Sequence, residues 1–418
     1  MSTKHLPMEE GKLLELARKL PTPFYLYDEK AILENAEAFC KEFSWAPSFR
    51  DYFAVKALPN PAIVKLLADK VGFGCDCSSL PELVIAEASG VKGRGIMLTS
   101  NDTPVDEFAK ALELGAIINL DDISHIDFLP SLPEMVSFRY NPGPERTGNA
   151  IIGNPVEAKY GVPKDKIVEC YRIMKEKGVK HFALHTMVAS NELDARYIVE
   201  TARMLFTLVA KIHDEAGVRI ELVDLGGGVG IPYRPEQEPI DIHHISTEIH
   251  KLYDAMIVER HLDPLGISFE CGRYITGPYG YLVSTVRHVA HKYKEYVGLD
   301  ATMADLMRPG MYGAYHHLTV LGKEKAPHDH VYDVTGSLCE NNDKFAIDRP
   351  LPEIEEGDIV VIHDAGAHGH SMGFNYNGKL RHAEYLLHAD GTVTMIRRAE
   401  TMDDYFATLR FPGAPVRI

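Results

Sequence analysis

Cysteine is scarce in this chain, which has six cysteines among its 418 residues. Apart from Cys75 and Cys77 they are scattered, so they form neither a disulfide framework nor a CxxC metal-binding pattern. His363, His368 and His370 lie close together in sequence, but no carboxylate accompanies them at the spacing of a metal site. We therefore predict reduced thiols and no metal site.

Long apolar runs are also missing. The opening residues, MSTKHLPMEEGKLLELARKLPTPF, contain no uninterrupted apolar region, and no later window approaches the roughly eighteen apolar residues that span a bilayer. Basic residues are outnumbered, with 44 Lys and Arg against 60 Asp and Glu and a net charge of -16. These features argue against a membrane segment and against nucleic acid or an anionic membrane as partner, and they predict a cytoplasmic protein.

What the chain does contain is an alternation of short strand-like runs with longer amphipathic segments. Segments such as PKDKIVECYRIMKEKG carry apolar residues at three- and four-residue spacing and end at glycine, as helices do. The strand-like runs are YFAVK (52–56), GFGCDC (72–77), GIMLT (95–99), AIINLDD (116–122), VSFRYN (136–141), HFALHT (181–186), ELVDLGGG (221–228) and ISFECGR (267–273). This alternation predicts a closed parallel (β/α)8 barrel of the TIM type.

The sequence changes character after about residue 280, where strand-like runs with turn residues replace the helical period. These runs include YLVSTVRHVAHKY, HVYDVTGS, EGDIVVIHDAGA and HAEYLLHADGTVTMIRR. We predict a barrel domain over 31–280 and a second, mainly antiparallel β-domain formed by 1–30 and 281–418, in which the strand FYLYD (24–28) pairs. The predicted fold class is therefore α/β plus β.

In a barrel of this type the active site lies at the carboxyl ends of the strands. Lys56 ends an apolar strand, where desolvation can remove its proton and let it form an imine with a carbonyl; a strand-end lysine that reaches solvent is the alternative. The glycines after the seventh strand suit a phosphate, although glycines also make ordinary turns. The residues at the strand ends are Lys56, Asp76, Ser100, Asn141, His185, Gly226, Gly227, Gly228, Glu270 and Arg273.

Glu270 ends the eighth strand, inside FECGRY. A carboxylate that faces the pyridine nitrogen of pyridoxal phosphate keeps that nitrogen protonated, which makes the ring an electron sink and favours loss of carbon dioxide. Because a buried carboxylate needs a cation, a structural salt bridge to Arg273 is the alternative that this segment leaves open.

Longer motifs occur in a fixed order over about residues 22–386. They are FAVKALPNP, HTMVAS, DLGGGVGIPY, FECGRYI, DLMRPGMYGAYHH, GSLCENND and AGAHGHSMGFNYNGKLRHAE. In these motifs the chain resembles the diaminopimelate decarboxylases, within the fold-type III pyridoxal-phosphate enzymes that include ornithine decarboxylase and alanine racemase. The resemblance implies pyridoxal phosphate as cofactor and conversion of meso-2,6-diaminopimelate to L-lysine and carbon dioxide, through a lysine aldimine and a quinonoid intermediate.

The resemblance also implies residue roles. Lys56 forms the aldimine, Glu270 pairs with the pyridinium nitrogen, and two arginines and a tyrosine grip the distal carboxylate of the substrate. The implied cofactor-binding residues are Lys56, Asp76, His185, Ser190, Gly226, Gly227, Gly228, Glu270, Gly272, Arg273, His368 and Tyr376. The implied substrate-binding residues are Arg273, Arg308, Tyr312 and Glu340. Cys339 joins Lys56 and Glu340 as a catalytic residue, and the Cys339–Glu340 pair implies a homodimer with shared active sites.

The chain departs from the family pattern at several positions, one of them the usual KAN, which here reads Lys56-Ala57-Leu58-Pro59-Asn60. Met187 stands where the second histidine of HxHIGS stacks on the cofactor, His368 replaces the tyrosine of AGAY, and Cys271 replaces a proline. A thioether packs against an aromatic ring but carries no charge. These departures indicate a divergent member of the family and leave room for another amino acid with an anionic tail.

Other functions stay open at this point. A decarboxylase of a D-configured or N-substituted diamino acid fits the same motifs. A racemase of this fold is expected to carry arginine where Glu270 stands. A Schiff-base aldolase does not explain the second domain, and retention of Lys56, Glu270, Arg308 and Cys339 argues against a non-catalytic regulatory homologue.

Overall fold

The fold is described from a computed structural model, which covers residues 4–149, 151–410 and 412–413. The strands are β1 (Phe24–Asp28), β2 (Arg50–Ala54), β3 (Gly74–Cys77), β4 (Ile96–Thr99), β5 (Ile117–Leu120), β6 (Met135–Asn141), β7 (Val162–Pro163), β8 (His181–Thr186), β9 (Leu222–Asp224), β10 (Gly266–Phe269), β11 (Gly280–His291), β12 (Glu295–Leu299), β13 (Leu318–Val320), β14 (His330–Thr335), β15 (Lys344–Leu351), β16 (Ile359–Ile362), β17 (Ala383–Leu387) and β18 (Val393–Arg397). The α-helices are α1 (Glu10–Lys19), α2 (Glu29–Glu42), α3 (Pro61–Val71), α4 (Leu80–Ala88), α5 (Val105–Glu113), α6 (Ile167–Lys177), α7 (Ala195–Ala216), α8 (Ile242–Tyr253), α9 (Arg273–Thr276), α10 (Arg308–Tyr312) and α11 (Met402–Phe406).

The chain divides into two compact units. One comprises Ala31–Pro232 and Glu236–Pro278, and the other comprises Met1–Lys30, Tyr233–Pro235 and Tyr279–Ile418. In the first unit the strands run in the order β5-β4-β3-β2-β10-β9-β8-β6, all parallel, and pairing of β5 with β6 closes the barrel. The predicted parallel eight-stranded barrel is confirmed. The short strand β7 also pairs with β6, and the sequence did not indicate it.

Side chains inside the barrel form an apolar layer below a polar one. The apolar cluster is Tyr52, Met97, Ile117, Met135, Ala183 and Leu222. Because side chains alternate with period two along a strand, the next inward position lies two residues further on. At the carboxyl ends these buried positions are polar: Asp76, Thr99, Asn119, Ser137, His185 and Asp224. The apolar layer fills the lower barrel, and the polar layer forms the floor of a site at the strand ends.

Capping residues fix the helices that surround the strands. The Asp194 side chain accepts from the N–H of Arg196 at the start of α7, and Gly217 ends that helix in the left-handed conformation with φ of 60°. Asn60 similarly accepts from the N–H of Ala62 where α3 begins, directly after the segment that carries Lys56. Each cap satisfies a backbone group that the helix terminus leaves unpaired.

The second unit is built on a largely antiparallel sheet. Its strands follow the order β15-β14-β12-β11-β1-β17-β18, while β16 pairs with β11 and β13. The predicted pairing of β1 in this sheet is confirmed, since β1 lies between β11 and β17. Two pairs, β1–β17 and β12–β14, are parallel. Leu13 and Ala17 of α1 pack into the core of this unit.

Among the residues that the structure describes, no helix combines the length and apolar character that crossing a membrane requires.

Two histidines of the second unit, the buried His363 and the half-buried His317, have lowered pKa values. The His363 ring lies 5.1 Å from that of His317, and its Nε2 is 2.8 Å from Thr319 Oγ1. Burial, followed by the charges of His317 and Lys4, lowers the pKa of His363 to about 3. Burial and Arg349 lower the pKa of His317 to about 4.

We expect acid to destabilise the chain through these histidines. The unfolded chain binds their protons near the ordinary pKa of 6.5, whereas the folded chain does so only below about pH 4. Stability is therefore lost as the pH falls below 6.5, by about 4 kcal/mol at pH 5 for the two groups. Urea unfolding at pH 7.5 and pH 5 measures this loss. His363→Gln should lose less stability between these pH values than the unchanged chain; an equal loss would contradict the assignment.

Candidate active site

Lys56 lies just beyond the end of its strand. The sequence placed it in a strand over 52–56, but β2 ends at Ala54 and Lys56 lies in a 3-10 turn, Val55–Ala57. Its Nζ is 2.8 Å from Asp76 Oδ2, and its side chain is 46 % exposed whereas that of Asp76 is fully buried. The turn therefore brings the amine to the mouth of the barrel.

The electrostatics of Lys56 differ from expectation. Burial opposes a charge on the amine, but the carboxylates of Asp76 and Glu270 outweigh this and raise the pKa of Lys56 above its ordinary value. In the chain without cofactor, the prediction that desolvation lowers the pKa of Lys56 and removes its proton is therefore wrong. Burial and the charge of Glu270 raise the pKa of Asp76, against the effect of Lys56.

Glu270 follows β10 and is buried among polar groups. His185 Nε2 lies 3.3 Å from Glu270 Oε2, and Thr99 Oγ1 donates to Glu270 Oε1 at 3.4 Å. Burial opposes the charge of Glu270, but His185, Lys56 and Arg139 outweigh it and lower its pKa. A charged carboxylate thus stands in the polar layer of the barrel.

Asp224, the last residue of β9, belongs to the same group, and the sequence analysis missed it. Its Oδ1 accepts from the N–H of Gly226 at 2.8 Å. Burial and the neighbouring charge of Glu270 raise the pKa of Asp224 well above its ordinary value. The surroundings therefore shift the two carboxyl groups in opposite directions, since they lower the pKa of Glu270 and raise that of Asp224. The available signal was the period of β9, which points Asp224 inward two residues after Leu222.

The three glycines after β9 are required by close backbone contacts. A Cβ at Gly226 would lie 2.2 Å from Thr186 O, and one at Gly228 would lie 2.4 Å from Ala189 O. The N–H of Gly226 donates to Asp224 Oδ1. At most two of the three glycine N–H groups are therefore left for a phosphate. Within the described part of the chain, the N–H groups of Gly227 and Gly228 have no protein acceptor. These two groups can therefore bind an anion.

The carboxyl end of the barrel fits pyridoxal phosphate. Two backbone N–H groups suit the phosphate, the Lys56 amine suits the aldehyde, and a charged Glu270 suits a protonated ring nitrogen. One ligand atom from each of His185, Asp224 and Glu270 lies within 4.8 Å of the others. Three such ligand atoms can face a cation, such as a protonated ring nitrogen. Both ring nitrogens of His185 and Oδ1 of Asp76 lack a hydrogen-bond partner within the described residues.

At the end of β4 the residue that points inward is the neighbour of the predicted one. On β4 it is Thr99, not Ser100, that reaches Glu270, and Asn119 Nδ2 donates to Thr99 Oγ1 at 2.8 Å. On β6 the buried Arg139 donates from Nε to Asp121 Oδ1 at 2.5 Å. Asn141 instead holds the following loop, because its Nδ2 donates to two backbone carbonyls, those of Pro155 and Tyr160.

The other predicted residues of the barrel unit lie in loops at the strand ends. Ser190 follows β8, and its N–H donates to Asn149 Oδ1 at 3.2 Å. Gly272 precedes α9, whose first residue is Arg273. A Cβ at Gly272 would lie 2.6 Å from the Cβ of Ala57, next to Lys56. The structure thus packs the Gly272 backbone against the turn that carries the lysine.

The remaining predicted residues belong to the second unit. Arg308 begins α10 and is buried, whereas Tyr312 at its end is 63 % exposed. Cys339 and Glu340 are exposed in the loop between β14 and β15. His368 has a left-handed backbone with φ of 55°, and Tyr376 is 49 % exposed. The Cys339 N–H donates to Asn377 Oδ1 at 2.6 Å, which joins the loop of Cys339 to the segment of Tyr376.

Known proteins resemble this chain over nearly its whole length. Residues 29–277 match the family described as pyridoxal-dependent decarboxylase, pyridoxal binding domain. Protein TabA of Pseudomonas amygdali pv. tabaci is 44% identical over 402 residues, 96% of this chain and 94% of that protein. Diaminopimelate decarboxylase of Methanothermobacter thermautotrophicus is 36% identical over 420 residues, 99% of this chain and 97% of that one. The crystal structure of diaminopimelate decarboxylase from M. jannaschii in co-complex with L-lysine has a TM-score of 0.86 at 30% identity, covering 94% of this chain and 93% of that one.

Proposed function

Since this chain belongs to the family of pyridoxal-dependent decarboxylases, we propose that its substrate is meso-2,6-diaminopimelate and its product L-lysine. The chain is a pyridoxal-phosphate-dependent decarboxylase and, as the motifs indicated, a divergent member of its family. The buried Arg308 supports the proposed substrate most directly, because a guanidinium suits a substrate that carries a carboxylate at its far end.

The residues of the barrel unit bind different groups of the cofactor. Lys56 binds the cofactor aldehyde covalently, Gly227 and Gly228 bind the phosphate with Ser190, and Glu270 keeps a proton on the ring nitrogen. When bound, pyridoxal phosphate supplies an electron sink for the electrons that the departing carboxyl group leaves behind. Asp76 holds the lysine amine in place, and Asp224 shapes the glycine loop through Gly226.

Most of the residues that we assign to the substrate belong to the second unit, and Arg273 belongs to the barrel unit. Arg308, with Arg273 and Tyr312, binds the distal carboxylate, Glu340 binds the substrate ammonium, and Cys339 delivers a proton. Cys339 and Glu340 are exposed in this chain, which is what residues need if they act in the site of a partner subunit. We therefore propose a homodimer with shared active sites. His368 and Tyr376 complete the proposed cofactor-binding set.

Arg308→Ala tests the distal carboxylate. Decarboxylation removes one carboxylate of diaminopimelate, and L-lysine keeps the other, whereas 1,5-diaminopentane has neither. We expect kcat/KM for diaminopimelate to fall about 1000-fold, equivalent to about 4 kcal/mol for a lost charged contact. Inhibition by L-lysine should weaken, and inhibition by 1,5-diaminopentane should not.

Arg287→Ala is the matched control, because Arg287 lies in the same unit, is 59% exposed and pairs with Asp300 on the surface. It should leave both inhibition constants unchanged. If Arg308→Ala weakened L-lysine and 1,5-diaminopentane equally, the distal-carboxylate assignment would be wrong.

A second substrate class is a related diamino acid, D-configured or N-substituted. Met187 and His368 favour it, since both depart from the family pattern in the cofactor shell, and a relative at 44% identity carries a name other than diaminopimelate decarboxylase. Carbon dioxide release from such compounds, compared with release from diaminopimelate, decides between the two.

A further inference from the structure

His316 is held in one protonation state by its two ring contacts. Its Nδ1 lies 2.8 Å from the backbone O of His363, and its Nε2 lies 2.9 Å from Nη1 of Arg308. A carbonyl only accepts and a guanidinium only donates, so Nδ1 carries the hydrogen and Nε2 presents its lone pair. The fully buried His316 is therefore a neutral acceptor for Arg308.

Arg308 has a second neutral contact. Its guanidinium lies 4.4 Å from the centroid of the Tyr233 ring, and that ring lies 5.2 Å from His316 at an interplanar angle of 67°. The guanidinium therefore rests on an aromatic face and donates to the edge of an imidazole. Tyr233 comes from a different segment of the second unit than Arg308 and His316, and all three residues are at most 6 % exposed.

The charge of the acceptor matters for an anionic substrate. A carboxylate in place of His316 would also orient Arg308, but it would cancel the positive charge and repel the substrate carboxylate. A neutral imidazole satisfies an N–H and leaves the charge in place. We infer that His316 is a positioning residue that fixes Arg308 for the distal carboxylate without neutralising it, an inference that rests on the proposed function of Arg308.

The matched pair His316→Gln and His316→Glu tests this inference in the holoenzyme. Both side chains place an oxygen acceptor near Nε2, and they differ in charge. We expect His316→Gln to keep KM for diaminopimelate within about threefold, and His316→Glu to raise it at least about tenfold while kcat changes by less than about threefold. L-lysine inhibition should weaken in the Glu variant only, and 1,5-diaminopentane inhibition in neither.

His317→Glu is the control for an added charge, because His317 is the next residue and its ring contacts His363. It should keep KM for diaminopimelate within about threefold. The inference is overturned if the Gln and Glu variants of His316 raise KM equally, if neither raises it, or if His317→Glu has the same effect. If Arg308→Ala leaves KM for diaminopimelate unchanged, the proposed function fails instead. Circular dichroism and cofactor absorbance confirm that each variant is folded and loaded.

Discussion

Replacing Lys56 with alanine should abolish decarboxylation, with a fall of at least about four orders of magnitude, equivalent to more than about 5 kcal/mol of transition-state stabilisation. Lys56 is the amine at the barrel mouth, 2.8 Å from the buried Asp76. Without it the cofactor has no covalent attachment. The visible absorbance of the bound cofactor should disappear, and borohydride followed by proteolysis should label no peptide, whereas the unchanged chain should be labelled at Lys56.

Two variants separate the covalent role of Lys56 from its charge. Lys56→Arg keeps a cation beside Asp76 but forms no covalent bond to an aldehyde, so it should be as inactive as Lys56→Ala and more stable. Lys65→Ala removes a lysine from the exposed surface of α3, where it pairs with Asp69, and should keep full activity. Label on any other lysine, or activity of Lys56→Ala within tenfold of the unchanged chain, would contradict the assignment.

The sequence predicted the barrel because its signals are local. Each strand is a short apolar run that ends near a glycine or a polar residue, and each helix carries its own period, so all eight strands could be found without long-range information. The predicted strand ends were less accurate. Lys56 lies beyond β2, and the inward side chain at the end of β4 is Thr99 rather than Ser100. A shift of one residue moves a side chain to the opposite face of a strand. Which residue points inward is fixed only when the strands pair in the closed sheet.

Charge states could not be predicted in the same way. Asp224 lies within the apolar run ELVDL, and its pKa is raised by burial and by Glu270, which both arise only in the folded barrel. Asp51 is a similar case, since its Oδ1 accepts from the N–H of Cys271 at 3.0 Å, 220 positions away. The sequence shows that Cys271 replaces the family's proline. It does not show that the N–H of Cys271, which a proline would lack, is the donor to Asp51.

Replacing Glu270 with glutamine should slow decarboxylation by about 100- to 1000-fold, equivalent to about 3–4 kcal/mol, and leave the cofactor attached to Lys56. Glutamine keeps the shape and the acceptor for Thr99 but removes the negative charge, and that charge is present because His185 and Lys56 lower the pKa of Glu270 against the effect of burial. A neutral amide cannot hold a proton on the ring nitrogen, so the ring becomes a weaker electron sink. Steady-state kinetics with the absorbance of the bound cofactor measure both effects.

Asp224→Asn is the informative comparison, because it makes the same acid-to-amide change in the neighbouring carboxyl group. Burial and Glu270 raise the pKa of Asp224 and favour its neutral form, and asparagine keeps an oxygen for the N–H of Gly226. We therefore expect a loss of no more than about tenfold, or about 1.4 kcal/mol. If Asp224→Asn cost as much as Glu270→Gln, or more, the charge in the polar layer would not reside on Glu270, and the assignment of that residue to the ring nitrogen would be wrong.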